Sequence, residues 1–92
     1  MNIAPDLEYL RGIINQLDEV IIKNIAKRDE MSRQIGSYKT QIGVAIYDSE
    51  REAELFQYHK SLSHKYQIDE DLVIKVFELI IKRSRSIQKK GS

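Results

Sequence analysis

The chain has 92 residues, enough for a single domain over residues 1–92, and its 15 Lys and Arg nearly balance its 14 Asp and Glu. This balance argues against a nucleic-acid partner held by counterion release. The lack of cysteine excludes disulfides, two separated histidines disfavour a structural zinc site, and no stretch resembles a membrane span or a signal peptide, so we expect a cytoplasmic protein without membrane contact.

Hydrophobic periodicity predicts three helices and no strand, which is an all-α fold. The first helix follows Pro5 and ends before the β-branched stretch that contains Gly43. The second opens at a capping-box pattern, Ser49 to Glu52, and Asp69 is the expected cap of the third. The expected helices span residues 6–41, 49–65 and 70–89.

An aliphatic seam with one break runs along the first predicted helix. The break is Arg28, and Asn24 lies one helical turn before it on the same stripe, so two neighbouring polar residues interrupt the apolar surface. A guanidinium cannot be deprotonated there and is costly to bury unpaired, so it must meet a carboxylate of the protein or an anionic ligand. The seam, read at every seventh residue, is Leu7, Ile14, Ile21, Arg28, Ile35 and Ile42.

The length of the first helix indicates that the chain does not fold alone. A helix over residues 6–41 is roughly 50 Å long, whereas a compact domain of this size has a radius of gyration of about 12 Å. One subunit cannot cover the whole seam. We therefore expect a homodimer in which a second copy of the chain buries it.

Cationic residues on the first helix suggest an anion site shared between subunits. Arg28 and Lys39 are 11 residues apart, which is about three turns with only about 20° of rotation, so both could clamp one small dianion. Arg11 lies 17 residues before Arg28, about 25 Å along the axis. Arg11 can join the same small site only from the partner chain.

The other two helices add polar groups at helical spacing. On the second helix, Asp48, Arg51 and Glu52 place a cation and two carboxylates near the helix entrance. On the third, Ser84 interrupts the apolar stripe, and Gln88 follows it by one turn. This pair offers a hydroxyl and an amide to a common point.

Each of these residues also has an ordinary structural interpretation. Arg28 could pair with an acid on another helix, with Asn24 fixing the register of a coiled coil. Asp48 and Glu52 could simply cap the second helix. The remaining polar residues could be solvated surface positions, as could the histidines: Arg11, Lys39, Ser84, Gln88, His59 and His64.

Together, eight of these side chains resemble the active-site set of the all-α chorismate mutases, the AroQ class. The resemblance covers nearly the whole chain and includes the framing segments Leu10-Arg11, Leu17-Asp18 and Leu79 to Ile81. It implies an intertwined homodimer in which each of two active sites borrows Arg11 from the other subunit. The set is Arg11, Arg28, Lys39, Asp48, Arg51, Glu52, Ser84 and Gln88.

The resemblance implies an isomerase that converts chorismate to prephenate in phenylalanine and tyrosine biosynthesis. This [3,3]-sigmatropic rearrangement needs no cofactor and no metal. By resemblance, Lys39 and Gln88 are catalytic donors to the ether oxygen of the substrate. The implied substrate-binding residues are Arg11 and Arg28 for the carboxylates, Ser84 beside them, Asp48 and Glu52 for the ring hydroxyl, and Arg51 at the entrance.

Two other kinds of function fit the same pattern. On the same fold, an isochorismate pyruvate lyase or a mutase of 4-amino-4-deoxychorismate would have a similar pocket and charge, although the pair Asp48 and Glu52 favours a ring that bears a hydroxyl. From a different class, the chain could be a non-enzymatic dimeric helical adaptor with Arg28 paired internally.

Overall fold

The structure is a computed structural model that describes residues 4–91 of the chain. Its three helices are α1 (Ala4–Ile42), α2 (Ser49–Lys65) and α3 (Glu70–Gly91). The prediction of an all-α chain with three helices is confirmed, since the described part contains no strand. The predicted domain limits at residues 1 and 92 lie outside the described residues.

A glycine ends α1. Gly43 has φ +75°, which lies in the left-handed region that favours glycine. Its amide bonds to the carbonyl of Thr40 at 3.3 Å, and the amide of Val44 bonds to the carbonyl of Lys39 at 3.0 Å, so carbonyls of the last turn are satisfied. The chain then turns back towards the start of α2.

The cap of α2 differs from the predicted one. Asp48, not Ser49, is the N-cap: its backbone is extended, and its Oδ1 accepts a hydrogen bond from the amide of Arg51 at 3.0 Å. Ser49 is the first helical residue. A carboxylate one residue earlier reaches the exposed amides as well as a serine does, and its charge also favours the helix N-terminus.

The third helix packs against both of the others. A bidentate ion pair joins it to α1, with the Arg83 guanidinium 2.7 Å and 2.9 Å from the two carboxylate oxygens of Asp29. Further along, the two backbones approach closely: a Cβ built on Gly36 would lie 2.5 Å from the carbonyl oxygen of Gln88. Only glycine at position 36 lets the end of α3 come this near to α1.

The isolated chain leaves its apolar seam uncovered. Among the described side chains no apolar residue is buried, and Leu7, Ile14 and Ile21 are 44%, 56% and 57% exposed. The molecule extends over 65 Å with a radius of gyration of 17.5 Å, against about 12 Å for a compact domain of this length. A search of the described residues found no helix long and apolar enough to cross a membrane.

The interpretation of His59 as a solvated residue is wrong. Its side chain is buried, and its ring stacks on Phe77 with 3.9 Å between the ring centroids. Burial lowers the pKa of His59, and the charges of Arg28 and Arg51 lower it further. His64 is exposed as expected, with Nε2 3.1 Å from a carboxylate oxygen of Glu70.

Candidate active site

A cavity of about 250 Å³ lies between the second half of α1, the start of α2 and the end of α3. The structure brings seven of the eight predicted site residues to its walls. Arg11 is the exception: it is an exposed residue of α1 far from the cavity along the helix. The seven are Arg28, Lys39, Asp48, Arg51, Glu52, Ser84 and Gln88.

The side chain of Arg28 contacts a hydroxyl group, whereas an internal ion pair would have required a carboxylate. One of its Nη atoms donates a hydrogen bond to Oγ of Ser84 at 3.1 Å, which joins the polar break of α1 to the polar gap of α3. The neighbouring acid, Asp29, is occupied by Arg83 instead. No carboxylate within the described part of the chain forms an ion pair with Arg28, so its charge is available to a ligand.

Lys39 is held by two acceptors at the other side of the cavity. Its Nζ donates to the carbonyl of Ile46 at 2.7 Å and to Oε1 of Gln88 at 3.0 Å. An ammonium group can only donate, so this contact assigns the Gln88 oxygen to the lysine side and leaves its NH₂ group to face elsewhere. Lys39 keeps a third N–H, and Gln88 keeps its donors, for a ligand in the cavity.

The start of α2 supplies an acidic side to the cavity. One oxygen of Asp48 caps the helix, which leaves the second oxygen for other donors. Oε2 of Glu52 lies 3.1 Å from Nε of Arg85. Arg51 is 3.4 Å from Glu54, but both side chains are about 60% exposed, so this pair contributes little to stability.

Sequence reasoning missed one charged residue of the cavity. Arg85 lines the cavity beside Ser84, and its guanidinium lies over the ring of Tyr47, 5.4 Å from the ring centroid. Its i+3 relation to Gln88 could have placed it on the same helix face. The other residues that the prediction did not include are Ser32, Ile35, Ile46, Leu55 and Ile81.

The charges of the cavity favour an anion. Four cationic side chains and two carboxylates line it, which gives a formal charge of +2. In the described residues, no three histidine, aspartate or glutamate side chains come together in a way that could hold a metal ion. Fold and cavity thus define an all-helical protein with a cavity of net positive charge. The cationic residues are Arg28, Lys39, Arg51 and Arg85.

Comparison with known proteins identifies the family. Residues 10–89 match the family described as chorismate mutase type II, and the chain belongs to this family. It is 31% identical over 83 residues to the chorismate mutase of Methanocaldococcus jannaschii, covering 90% of this chain and 84% of that protein. The AroQ-class resemblance and the predicted enzyme class, chorismate mutase, are confirmed at the level of the family.

Other relatives are much longer than this chain. It is 35% identical over 84 residues to the bifunctional chorismate mutase/prephenate dehydratase of Buchnera aphidicola and 34% identical over 84 residues to the T-protein of Haemophilus influenzae. Each alignment covers 91% of this chain but only 22% of the relative. The similarity therefore concerns one part of those proteins.

Proposed function

We propose that this chain catalyses the rearrangement of chorismate to prephenate, a step towards phenylalanine and tyrosine. The observation that carries the proposal is the pairing of Lys39 with Gln88 and of Arg28 with Ser84 in one cavity of a chorismate mutase type II chain. Both cations lack a carboxylate partner in the described structure. A dianion such as chorismate would satisfy them.

The first contribution to rate is positioning. Chorismate reacts from a pseudo-diaxial chair that is a minor conformer in solution, so a site that fixes both carboxylates also fixes the geometry of the new C–C bond. Arg28 and Ser84 together form a donor pair suited to one carboxylate. The partner subunit's Arg11 would hold the other carboxylate. This is pre-organisation of a unimolecular reaction.

The second contribution is electrostatic stabilisation of the transition state. The ether C–O bond breaks ahead of C–C bond formation, so negative charge accumulates on the ether oxygen. The free N–H of Lys39 and the NH₂ group of Gln88 are the donors for that oxygen. One such donor is worth roughly 3 to 4 kcal/mol by analogy with oxyanion holes, because its hydrogen bond strengthens only as the charge develops.

The acidic side of the cavity would receive the ring of the substrate. Asp48 and Glu52 are acceptors placed to meet the ring hydroxyl, and Arg51 would order the entrance formed by the first turn of α2. Acceptors at this position can bind the ring hydroxyl of chorismate, and isochorismate pyruvate lyase and 4-amino-4-deoxychorismate mutase activities stay open as alternatives on the same fold.

A homodimer would complete the site. The seam on α1 is exposed over its whole N-terminal half, and Arg11 lies within that half. Pairing of two α1 helices would bury the apolar rows and bring the partner's Arg11 towards the cavity.

The cytoplasmic location expected from the sequence also stays a prediction.

The test of the activity is loss of chorismate absorbance on addition of the purified protein, followed by identification of the product. Prephenate supports the mutase. Pyruvate with salicylate from isochorismate would support the lyase instead. A helical adaptor would convert nothing and would not bind an oxabicyclic diacid that mimics the transition state, whereas an enzyme should bind it tightly.

The test of the shared site is complementation between inactive subunits. Arg11→Ala and Arg28→Ala chains should each be nearly inactive as homodimers. In a mixture unfolded and refolded together, half of the dimers combine both chains, and one of their two sites has both arginines. About a quarter of the wild-type activity should return. No recovery in a mixture that forms dimers would exclude a site shared between subunits.

A further inference from the structure

Arg85 reaches the cavity although it lies outside the predicted set of site residues. It is four residues after Ile81 and three before Gln88, so all three side chains project from one face of α3 into the same cavity. Arg85 also borders a second cavity, of about 340 Å³, between α2 and α3. Glu52 and Ile81 border both cavities, so Arg85 and Glu52 form part of the wall between them.

The guanidinium of Arg85 is held from two sides. The ring of Tyr47 lies 5.4 Å from it, and Oε2 of Glu52 lies 3.1 Å from its Nε. The Nε atom is shielded from solvent, but its N–H does not point along the line to any acceptor in the described part of the chain. The contact with Glu52 is therefore a pairing of charges without a well-aligned hydrogen bond.

This geometry leaves the acceptor capacity of Glu52 in place while offsetting its charge. A carboxylate has about four lone-pair positions, and the contacts of the described residues show none of them taken by an aligned side-chain donor. Glu52 can accept a hydrogen bond from a ring substituent of the ligand. Its negative charge, however, is already opposed by a cation within 3.1 Å.

We propose that Arg85 sets the ring-substituent specificity of this site: by opposing the charge of Glu52, it lets the cavity accept a neutral hydroxyl and disfavour an ammonium group. The inference rests on the proposed function and deepens it. With Arg85 the formal charge of the cavity is +2, and without it the charge would be +1. The loss would weaken the preference for a dianion such as chorismate over 4-amino-4-deoxychorismate, whose ammonium group offsets one of its two carboxylates.

The expected size of the effect follows from Coulomb attraction at partly exposed sites. A unit charge several ångströms away, in an environment of intermediate dielectric, changes the relative binding of an ammonium and a hydroxyl by about tenfold. Arg85→Met removes the charge and keeps an apolar stem of similar length. Arg85→Lys keeps the charge but loses the planar group that lies over Tyr47.

The experiment measures two constants on each variant: KM for chorismate, and the inhibition constant of 4-amino-4-deoxychorismate against chorismate conversion. For Arg85→Met we expect a higher KM and a lower inhibition constant, so that the inhibition constant divided by KM falls about tenfold relative to wild type. Arg85→Lys should retain most of the ratio. Lys75→Met, which removes one exposed charge from the same helix outside both cavities, is the matched control and should leave both constants unchanged.

The outcomes separate this inference from the proposed function. If the wild-type chain does not convert chorismate, the proposed function fails and the inference fails with it. If the wild type converts chorismate but Arg85→Met leaves the ratio unchanged, the inference alone is overturned. Arg85→Gln serves as a second uncharged variant if Arg85→Met does not fold, and the oligomeric state of each variant is checked by size-exclusion chromatography.

Discussion

The two halves of α1 carry the same heptad pattern but differ in what covers them. In the C-terminal half, Arg28, Asp29 and Lys39 all contact side chains of α3, while the seam residues Ile35 and Ile42 are 46% and 53% exposed. In the N-terminal half, the seam residues Leu7, Ile14 and Ile21 are between 44% and 57% exposed. The apolar seam is thus exposed in both halves, but the C-terminal half, called here the integrated half, also lines the cavity, whereas the N-terminal half, the uncovered half, contributes no residue to it.

This difference indicates which parts of the candidate site a single chain can form. Asn24 and Arg28 mark the point where the seam stops being purely apolar, and the cavity begins there. The cations, acids and amide of the cavity are arranged by contacts within the chain. Arg11 belongs to the uncovered half, so the role proposed for it would depend on assembly of two chains. The two halves should therefore respond differently to mutation.

The largest effect is expected from a charge in the uncovered half. Ile14→Glu places a carboxylate in the seam, where pairing of two chains would bury it without a partner. We expect dissociation of the dimer and loss of nearly all activity, measured by analytical ultracentrifugation and by chorismate conversion. Gln16→Glu introduces the same residue two positions away, off the seam, and should leave assembly intact. An active monomer of Ile14→Glu would refute the need for a dimer.

In the integrated half, Lys39→Ala should reduce catalysis and leave assembly intact. In the proposed mechanism this change removes a donor that acts mainly on the transition state, so we expect kcat to fall by about two to three orders of magnitude. Sedimentation should show the same oligomer as the wild type. Lys75→Ala on the exposed face of α3 is the control for loss of a lysine. Normal turnover by Lys39→Ala would remove it from the catalytic role.

Sequence periodicity could predict the helices because their signals are local. The heptad seam, Gly43 and the Asp69 cap each depend on neighbours along the chain. Arg28 and Ser84 could also be singled out from the sequence, because each of them interrupts an apolar stripe at a position that the periodicity identifies. That these two side chains meet at 3.1 Å required the packing of α3 on α1.

What the sequence could not predict depends on packing between helices. His59 is a polar residue on a mixed helix face, and only the approach of Phe77 from α3 buries it. Arg85 lies among the basic residues of the C-terminal helix, and although its spacing to Gln88 places it on the same helix face, the packing of α3 is what brings its side chain to the cavity. A glycine within a helix predicts only a small cost in helix propensity, whereas in the structure the lack of a side chain at Gly36 admits the backbone of Gln88.

The effect expected at Gln88 depends on pH. This residue lies where the end of α3 approaches the integrated half of α1. An amide does not titrate, so wild-type activity should stay nearly constant from neutral to mildly basic pH. In Gln88→Glu the new carboxyl must be protonated to donate to the ether oxygen, and an ordinary glutamate pKa is about 4.3. Activity of the variant should therefore fall by up to about tenfold per pH unit as the pH rises. Identical pH profiles of kcat/KM for the two proteins would exclude Gln88 as a donor.

The smallest effect is expected at His59 of α2, whose ring packs on Phe77 of α3. Burial, with the charges of Arg28 and Arg51, lowers its pKa in the folded chain below the ordinary histidine value of 6.5. Between the pKa of the folded chain and that of the unfolded chain, the unfolded chain binds more protons. The stability that neutral His59 provides is therefore present above pH 6.5 and is lost as the pH falls through the folded pKa. His59→Phe keeps an aromatic ring against Phe77 but cannot be protonated. Thermal unfolding at equal protein concentration should show a steeper loss of Tm below pH 6.5 for the wild type than for His59→Phe, and parallel curves would show that His59 does not contribute to the pH dependence.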